Sequence, residues 1–133
     1  MSEGVFLLPR LTDDQSGVGV AVLKRKSITT AFGTAGTNIS AKQGRLYKIR
    51  LANKAAATKY YVQLFDKATA PINTDVPIWE GRVAADSEWA DDFGLAGLYV
   101  VNGIGLAISS TSGVLTLAGS SDATAYALYT QLT

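Results

Sequence analysis

Short runs of alternating apolar and polar residues recur along this chain of 133 residues, and no window repeats apolar residues at i, i+3, i+4 and i+7 for three turns. The pattern predicts strands throughout and helix almost nowhere. Glycine, asparagine and aspartate clusters break the runs every ~8–12 residues, the rhythm of a sandwich or a barrel.

The clearest strand runs from Arg45 to Leu51, with Tyr47, Ile49 and Leu51 on one face and Leu46, Lys48 and Arg50 on the other. Lys59 to Phe65 is apolar on both faces and is expected to be covered on both. Ala70 to Asp75 has the residues of a turn. Val76 to Arg82 then reads as a strand in which Pro77 marks an edge or a strand start. Leu98 to Val101 and Ile104 to Ile108 flank Asn102-Gly103, the signal of a tight hairpin, with a longer excursion as the alternative. Ser27 to Phe32, Val114 to Leu117 and Ala125 to Leu132 complete the series.

These runs predict an all-β fold: a single antiparallel β-sandwich over residues 27–133, with the jelly roll as one topology it allows. Strand order is not contained in the pattern. Residues 1–26 differ in character. They hold the apolar patch Val5-Phe6-Leu7-Leu8, Pro9, a polar loop from Thr12 to Gly17 and an apolar run to Leu23. An N-terminal arm lying on a neighbour and an extra strand pair of the same sandwich both fit that mixture.

Composition narrows the chemistry. Cysteine and histidine are absent, which removes disulfides, thiolate ligands, thiol nucleophiles and the usual general base near neutral pH. The start, Met1-Ser2-Glu3-Gly4-Val5, carries no basic lead into an apolar run, so no signal peptide is expected. The apolar run Val18 to Leu23 stops at Lys24-Arg25-Lys26, far short of the ~20 residues that span a bilayer, and no membrane partner is expected. A net charge of +1 hides a division: residues 1–60 hold ten Lys or Arg against three Asp or Glu, and residues 61–133 hold two against eight. Opposite halves can meet within one fold, through interleaved strands, or across subunits.

No catalytic constellation emerges, and an enzyme is not expected. Asp86, Glu88, Asp91 and Asp92 form the densest acidic cluster, but without the spacing of a calcium loop they read as solvated turn residues. No histidine stands ready to activate a serine or threonine. Gly33 to Thr37 lacks the lysine and helix of a phosphate loop. Lys24-Arg25-Lys26 is too small a footprint to imply nucleic acid. No metal or cofactor is expected. Binding is the better prospect, with Val5, Phe6, Leu7, Leu8, Tyr60, Tyr61, Trp79 and Trp89 as candidate interface residues. Trp89, between acidic neighbours, is the aromatic residue expected at the surface.

A set of short motifs bears on what is bound. Gly44-Arg45-Leu46-Tyr47 and Asn53-Lys54-Ala55-Ala56-Ala57 precede Lys59-Tyr60-Tyr61-Val62-Gln63-Leu64-Phe65-Asp66-Lys67-Ala68. Ala70-Pro71, Asp75-Val76-Pro77-Ile78, Asn102-Gly103-Ile104-Gly105-Leu106-Ala107-Ile108-Ser109 and Tyr129 follow in order. Over residues 44–130 this order resembles a family of small virion structural proteins of tailed bacteriophages, head decoration or cement proteins among them. The resemblance implies a β-sandwich that assembles with sister subunits, often as a trimer, on the major capsid protein of a preformed head. Its location would be the capsid surface of the virion. Neck, tail and fibre positions stay open, and a receptor- or carbohydrate-binding module of a fibre is the alternative. Binding at many equivalent lattice sites suits a compact, rigid module whose weak contacts add through multivalency.

Overall fold

A computed structural model describes residues 23–28, 33–119 and 123–132. Among the described residues there are nine strands: β1 (Lys24–Ile28), β2 (Thr37–Ser40), β3 (Gly44–Asn53), β4 (Tyr60–Asp66), β5 (Trp79–Val83), β6 (Ser87–Asp92), β7 (Leu98–Val100), β8 (Ile104–Ser109) and β9 (Ala123–Gln131). They form two antiparallel sheets. Sheet A has the order β1-β9-β3-β6, with β7 pairing the start of β3, and sheet B has the order β2-β8-β4-β5. The two pack face to face as a β-sandwich.

With β7 set aside, eight strands pair as one long hairpin folded on itself. The first pairs with the last (β1–β9), then β2–β8, β3–β6 and β4–β5, each antiparallel. Rolling that hairpin brings β9 against β3 and β8 against β4, which closes the two sheets. This is the jelly-roll arrangement. β1 begins at Lys24, so the whole basic triplet Lys24-Arg25-Lys26 before residue 27 belongs to sheet A. Val5 to Leu8 and the apolar run from Val18 lie outside the described residues, apart from exposed Leu23.

The core lies between the sheets, with Leu46, Ile49, Leu51, Val62, Leu64, Leu106 and Ile108 fully buried. Ile49 and Leu51 face inward as their alternation predicts. Leu46 and Tyr47 exchange the places expected of them: Leu46 is buried, and Tyr47 only half so. The cause is a β-bulge. Along β9 the partners step from Leu46↔Tyr129 to Lys48↔Leu128, so Tyr47 is the extra residue and the in-out parity changes across it.

Val114–Leu117 is not a strand; its β-pairing with β8 is the isolated bridge Ser109↔Leu117. Asn102-Gly103 is not a hairpin turn either. Leu98–Val100 pairs with β3 in sheet A and Ile104–Ser109 with β4 in sheet B, so the chain changes sheets there. Neither residue has positive φ. Instead, the Asp66 carboxylate at the end of β4 accepts from the backbone N–H groups of Val101, Asn102 and Gly103. A polar anchor replaces the turn chemistry the dipeptide suggests.

Candidate functional surface

β4 is covered on both faces, and the second cover comes from the chain itself. Tyr60, Val62 and Leu64 point into the sandwich, whereas Gln63 and Phe65 point away from it and are still buried. Two loops lie over this outer face of sheet B: residues 67–78 and residues 110–119. Phe65, Ala107 and Leu115 pack there as a second small core, with Leu117 at its margin. A sister subunit is not needed to cover this face. Pro71 sits so close to Gly105 of β8 that a Cβ on Gly105 would come within 2.8 Å of its ring.

Polar side chains fix both loops. The Thr74 N–H donates to the Leu115 carbonyl and the Leu115 N–H to the Asp75 carbonyl, a short ladder joining the two. Lys67 Nζ donates to Asp75 Oδ2 at 2.6 Å, and the same oxygen accepts from the Ile72 N–H at 2.9 Å. The Lys67 contact and then the Ile72 N–H hold the Asp75 carboxyl below its usual range. Glu80 on β5 accepts from Gln63 Nε2 at 2.7 Å, Ser112 Oγ at 2.5 Å and the Gly113 N–H at 2.9 Å. Burial alone would raise its pKa, but these donors outweigh it and the net direction is down. Gln63, buried in mid-sheet, also donates to the Thr111 carbonyl at 3.1 Å.

The outside of this pinned layer is apolar where such loops are usually polar. Val76 is 73% exposed, Ile72 60% and Ile78 49%, with Val114 on the neighbouring loop also open. A smaller open group, Leu95, Tyr99 and Val101, lies about β7. There the Arg45 guanidinium stands 5.2 Å from the Tyr99 ring, and Gln43 hydrogen-bonds the Tyr99 hydroxyl.

The aromatic residues expected at an interface are placed differently from one another. Tyr60 is in the core at 4% exposure and offers no ring to a partner. Tyr61 is half-buried on the outer side of sheet B, with Lys59 Nζ 6.0 Å from its ring. Trp89 is not a free surface residue: it sits opposite Leu51, turned inward against Trp79 with ring centroids 5.1 Å apart. Phe93 meets Trp79 edge-on at 5.4 Å. These three rings close the side of the sandwich where β5 and β6 face each other. Gly81 lets the two tryptophan rings approach the strand closely, since a Cβ there would reach 2.7 Å from Trp89 and 2.8 Å from Trp79.

Of the acidic cluster, only Asp86 lies in a turn. Ser87–Asp92 is an edge strand, and alternation splits its carboxylates: Glu88 and Asp92 face outward, Asp91 the other way. Asp86 occupies the preceding turn at φ 48°. Glu88 is bound to Arg50 of β3, an exposed pair. Among the described residues, no group of three acidic side chains is disposed to hold a metal ion. The polar groups that converge do so on the loops they hold in place.

What the sequence missed is the loop layer. The signal was present in the two-faced burial of Lys59 to Phe65, but nothing in the pattern said whether the second cover would be a partner or the chain's own loops. Compared with protein families, curated proteins and solved structures, the chain matches none of them.

Proposed function

We propose that this protein is a structural component of a bacteriophage virion that decorates the head, docking on the major capsid protein as an assembly of sister subunits. The observation that carries the reading is the pinned outer layer of sheet B. Ile72, Val76, Ile78 and Val114 are held open to solvent on loops fixed by Glu80, Gln63 and the Lys67–Asp75 pair. Exposed aliphatic groups on a rigid support favour adhesion to another protein, because little ordering entropy is lost on docking. Jelly rolls serve in viral capsids and in lectins alike, so the fold is compatible with this reading without selecting it. The motif order over residues 44–130 supplies the virion context. Exposed aromatic residues such as Trp89 would favour the fibre alternative, and Trp89 packs against Trp79 instead.

The test is attachment. Purified protein mixed with undecorated heads is expected to co-sediment with them to saturation, and gold-labelled antibody is expected over the whole head in negative stain. Val76→Asp and Ile72→Asp are expected to weaken attachment at least ~tenfold, since each would bury a charge, without moving the melting temperature. Label confined to the tail tip or fibres would refute the proposal in favour of adhesion.

A further inference from the structure

The two outer strands of sheet A carry opposite charge. β1 reads Lys24-Arg25-Lys26-Ser27-Ile28, its first four residues exposed. β6 reads Ser87-Glu88-Trp89-Ala90-Asp91-Asp92, with Glu88, Ala90 and Asp92 exposed. Each ends the sheet among the described residues. An edge strand is a template for a further strand, and charges on it normally prevent that pairing. Here the protection works only against like edges. β1 beside another β1, or β6 beside another β6, sets like charges opposite, whereas β1 beside a β6 sets them in attraction.

Direction, register and face agree with that pairing. β1 and β3 both run antiparallel to β9, and β6 runs antiparallel to β3, so β1 and β6 run in opposite senses. A second copy continuing the sheet would therefore meet the first in antiparallel fashion. Pairing across the sheet gives the row Arg25–Leu128–Lys48–Asp92, then Lys26–Ala127–Ile49–Asp91, then Ile28–Ala125–Leu51–Trp89. With the rows kept level, Arg25 of one copy stands opposite Asp92 of the next on the outer face. Lys26 then stands opposite Asp91, and Ile28 opposite Trp89, on the inner face. Basic meets acidic and apolar meets apolar. A slip of one residue would send every side chain to the wrong face.

We infer that the chain self-assembles head to tail, with β1 of one copy pairing antiparallel to β6 of the next and Arg25 opposite Asp92. Such a contact is heterologous: each added copy leaves one β1 and one β6 free until a ring closes. The inference extends the sister-subunit part of the proposed function and does not require the capsid.

Sedimentation velocity of the full chain over a range of concentration and salt gives the first test. Assembly is expected at low ionic strength and is expected to weaken as salt screens the exposed pairs. Arg25→Glu with Lys26→Glu should give monomers, and so should Asp91→Lys with Asp92→Lys. The chain carrying all four substitutions should assemble again, because its edges are complementary in reverse. Register is tested by cross-linking, which the absence of native cysteine makes unambiguous. Arg25→Cys with Asp92→Cys should oxidise to covalent multimers, whereas Arg25→Cys with Ala90→Cys should not. Within one copy the two positions lie at opposite edges of a four-strand path, about 14 Å apart at ~4.8 Å per strand, too far for one disulfide. A wild-type monomer at every concentration, assembly indifferent to edge reversal, or assembly without the cross-link would each overturn the inference. Monomers that still decorate heads would sink this inference alone; assemblies that ignore heads would sink the capsid reading alone.

Discussion

Asp66 and Asn102, 36 residues apart, are joined by a 2.7 Å hydrogen bond from the Asn102 N–H to Asp66 Oδ1, at the point where the chain passes from one sheet to the other. Val101 and Gly103 donate to the same carboxylate from either side. Asp66→Ala leaves three adjacent donors to water and is expected to cost about 1–3 kcal/mol in urea unfolding. Asp66→Asn, which keeps an acceptor but loses the charge, should cost less. A cost under about 0.5 kcal/mol for Asp66→Ala would show that the crossing holds itself.

Acid should loosen the same joints. Partial burial pushes the Asp66 carboxyl up, but the Asn102, Val101 and Gly103 donors prevail and its folded pKa lies below the ordinary 3.8. The Lys67 hydrogen bond lowers Asp75 below 3.8, and the donors about Glu80 bring it below 4.5 against the pull of burial. Groups with depressed folded pKa values contribute stability that is present above their unfolded values and lost as pH falls through the folded ones. Thermal stability should therefore hold constant from about pH 7 to pH 5 and decline below about pH 4. In Glu80→Gln the decline should be shallower. A melting temperature that rises between pH 5 and pH 3 would contradict the assignment.

The bulge at Tyr47 makes neighbouring substitutions unequal. Leu46→Ala empties a fully buried site, as Ile49→Ala and Ile108→Ala do, and each should cost about 2–5 kcal/mol. Tyr47→Ala removes a half-buried ring and should cost less than any of them. Equal or inverted costs at 46 and 47, read from chemical denaturation, would mean that the parity does not change there.

Gly81→Val places a branched side chain where the Trp79 and Trp89 rings now lie 5.1 Å apart. Separating them should cost about 1–3 kcal/mol. It should also abolish the exciton couplet of the tryptophan pair in circular dichroism. Trp79→Phe should remove the couplet as well, and a couplet surviving in Gly81→Val would show that the rings tolerate the intrusion.

Strands with clear alternation or a continuous apolar run were legible in the sequence: Arg45 to Leu51, Lys59 to Phe65, Ile104 to Ile108 and the last strand all stand close to where the pattern puts them. Thr37–Ser40 and Ser87–Asp92 were not, because these edge strands are written largely in the polar alphabet of turns. Asn102-Gly103 misled for a related reason. The dipeptide reports what the backbone permits, and Asp66, far away in sequence, decides what it does. The candidate surface was legible only in part, since Ile72, Val76 and Ile78 could be read as strand or turn, and their exposure depends on a loop some 40 residues on.

The nested pairing of strands has a consequence for how the molecule is made. Sheet A is joined through β9, which lies between β1 and β3, and β9 leaves the ribosome after every other described strand. Until it arrives, β1 has no neighbour among the described strands and β3 lacks the partner along most of its length. Early strands must therefore wait, with their apolar faces uncovered, for translation at ~5–20 residues per second to reach β9. Closure of the sandwich is then a single late event dominated by contacts distant in sequence, which makes it slow for a domain of this size. That delay also withholds β1 from any neighbouring chain: an edge that becomes a strand only when β9 docks cannot recruit a second copy to a half-made molecule.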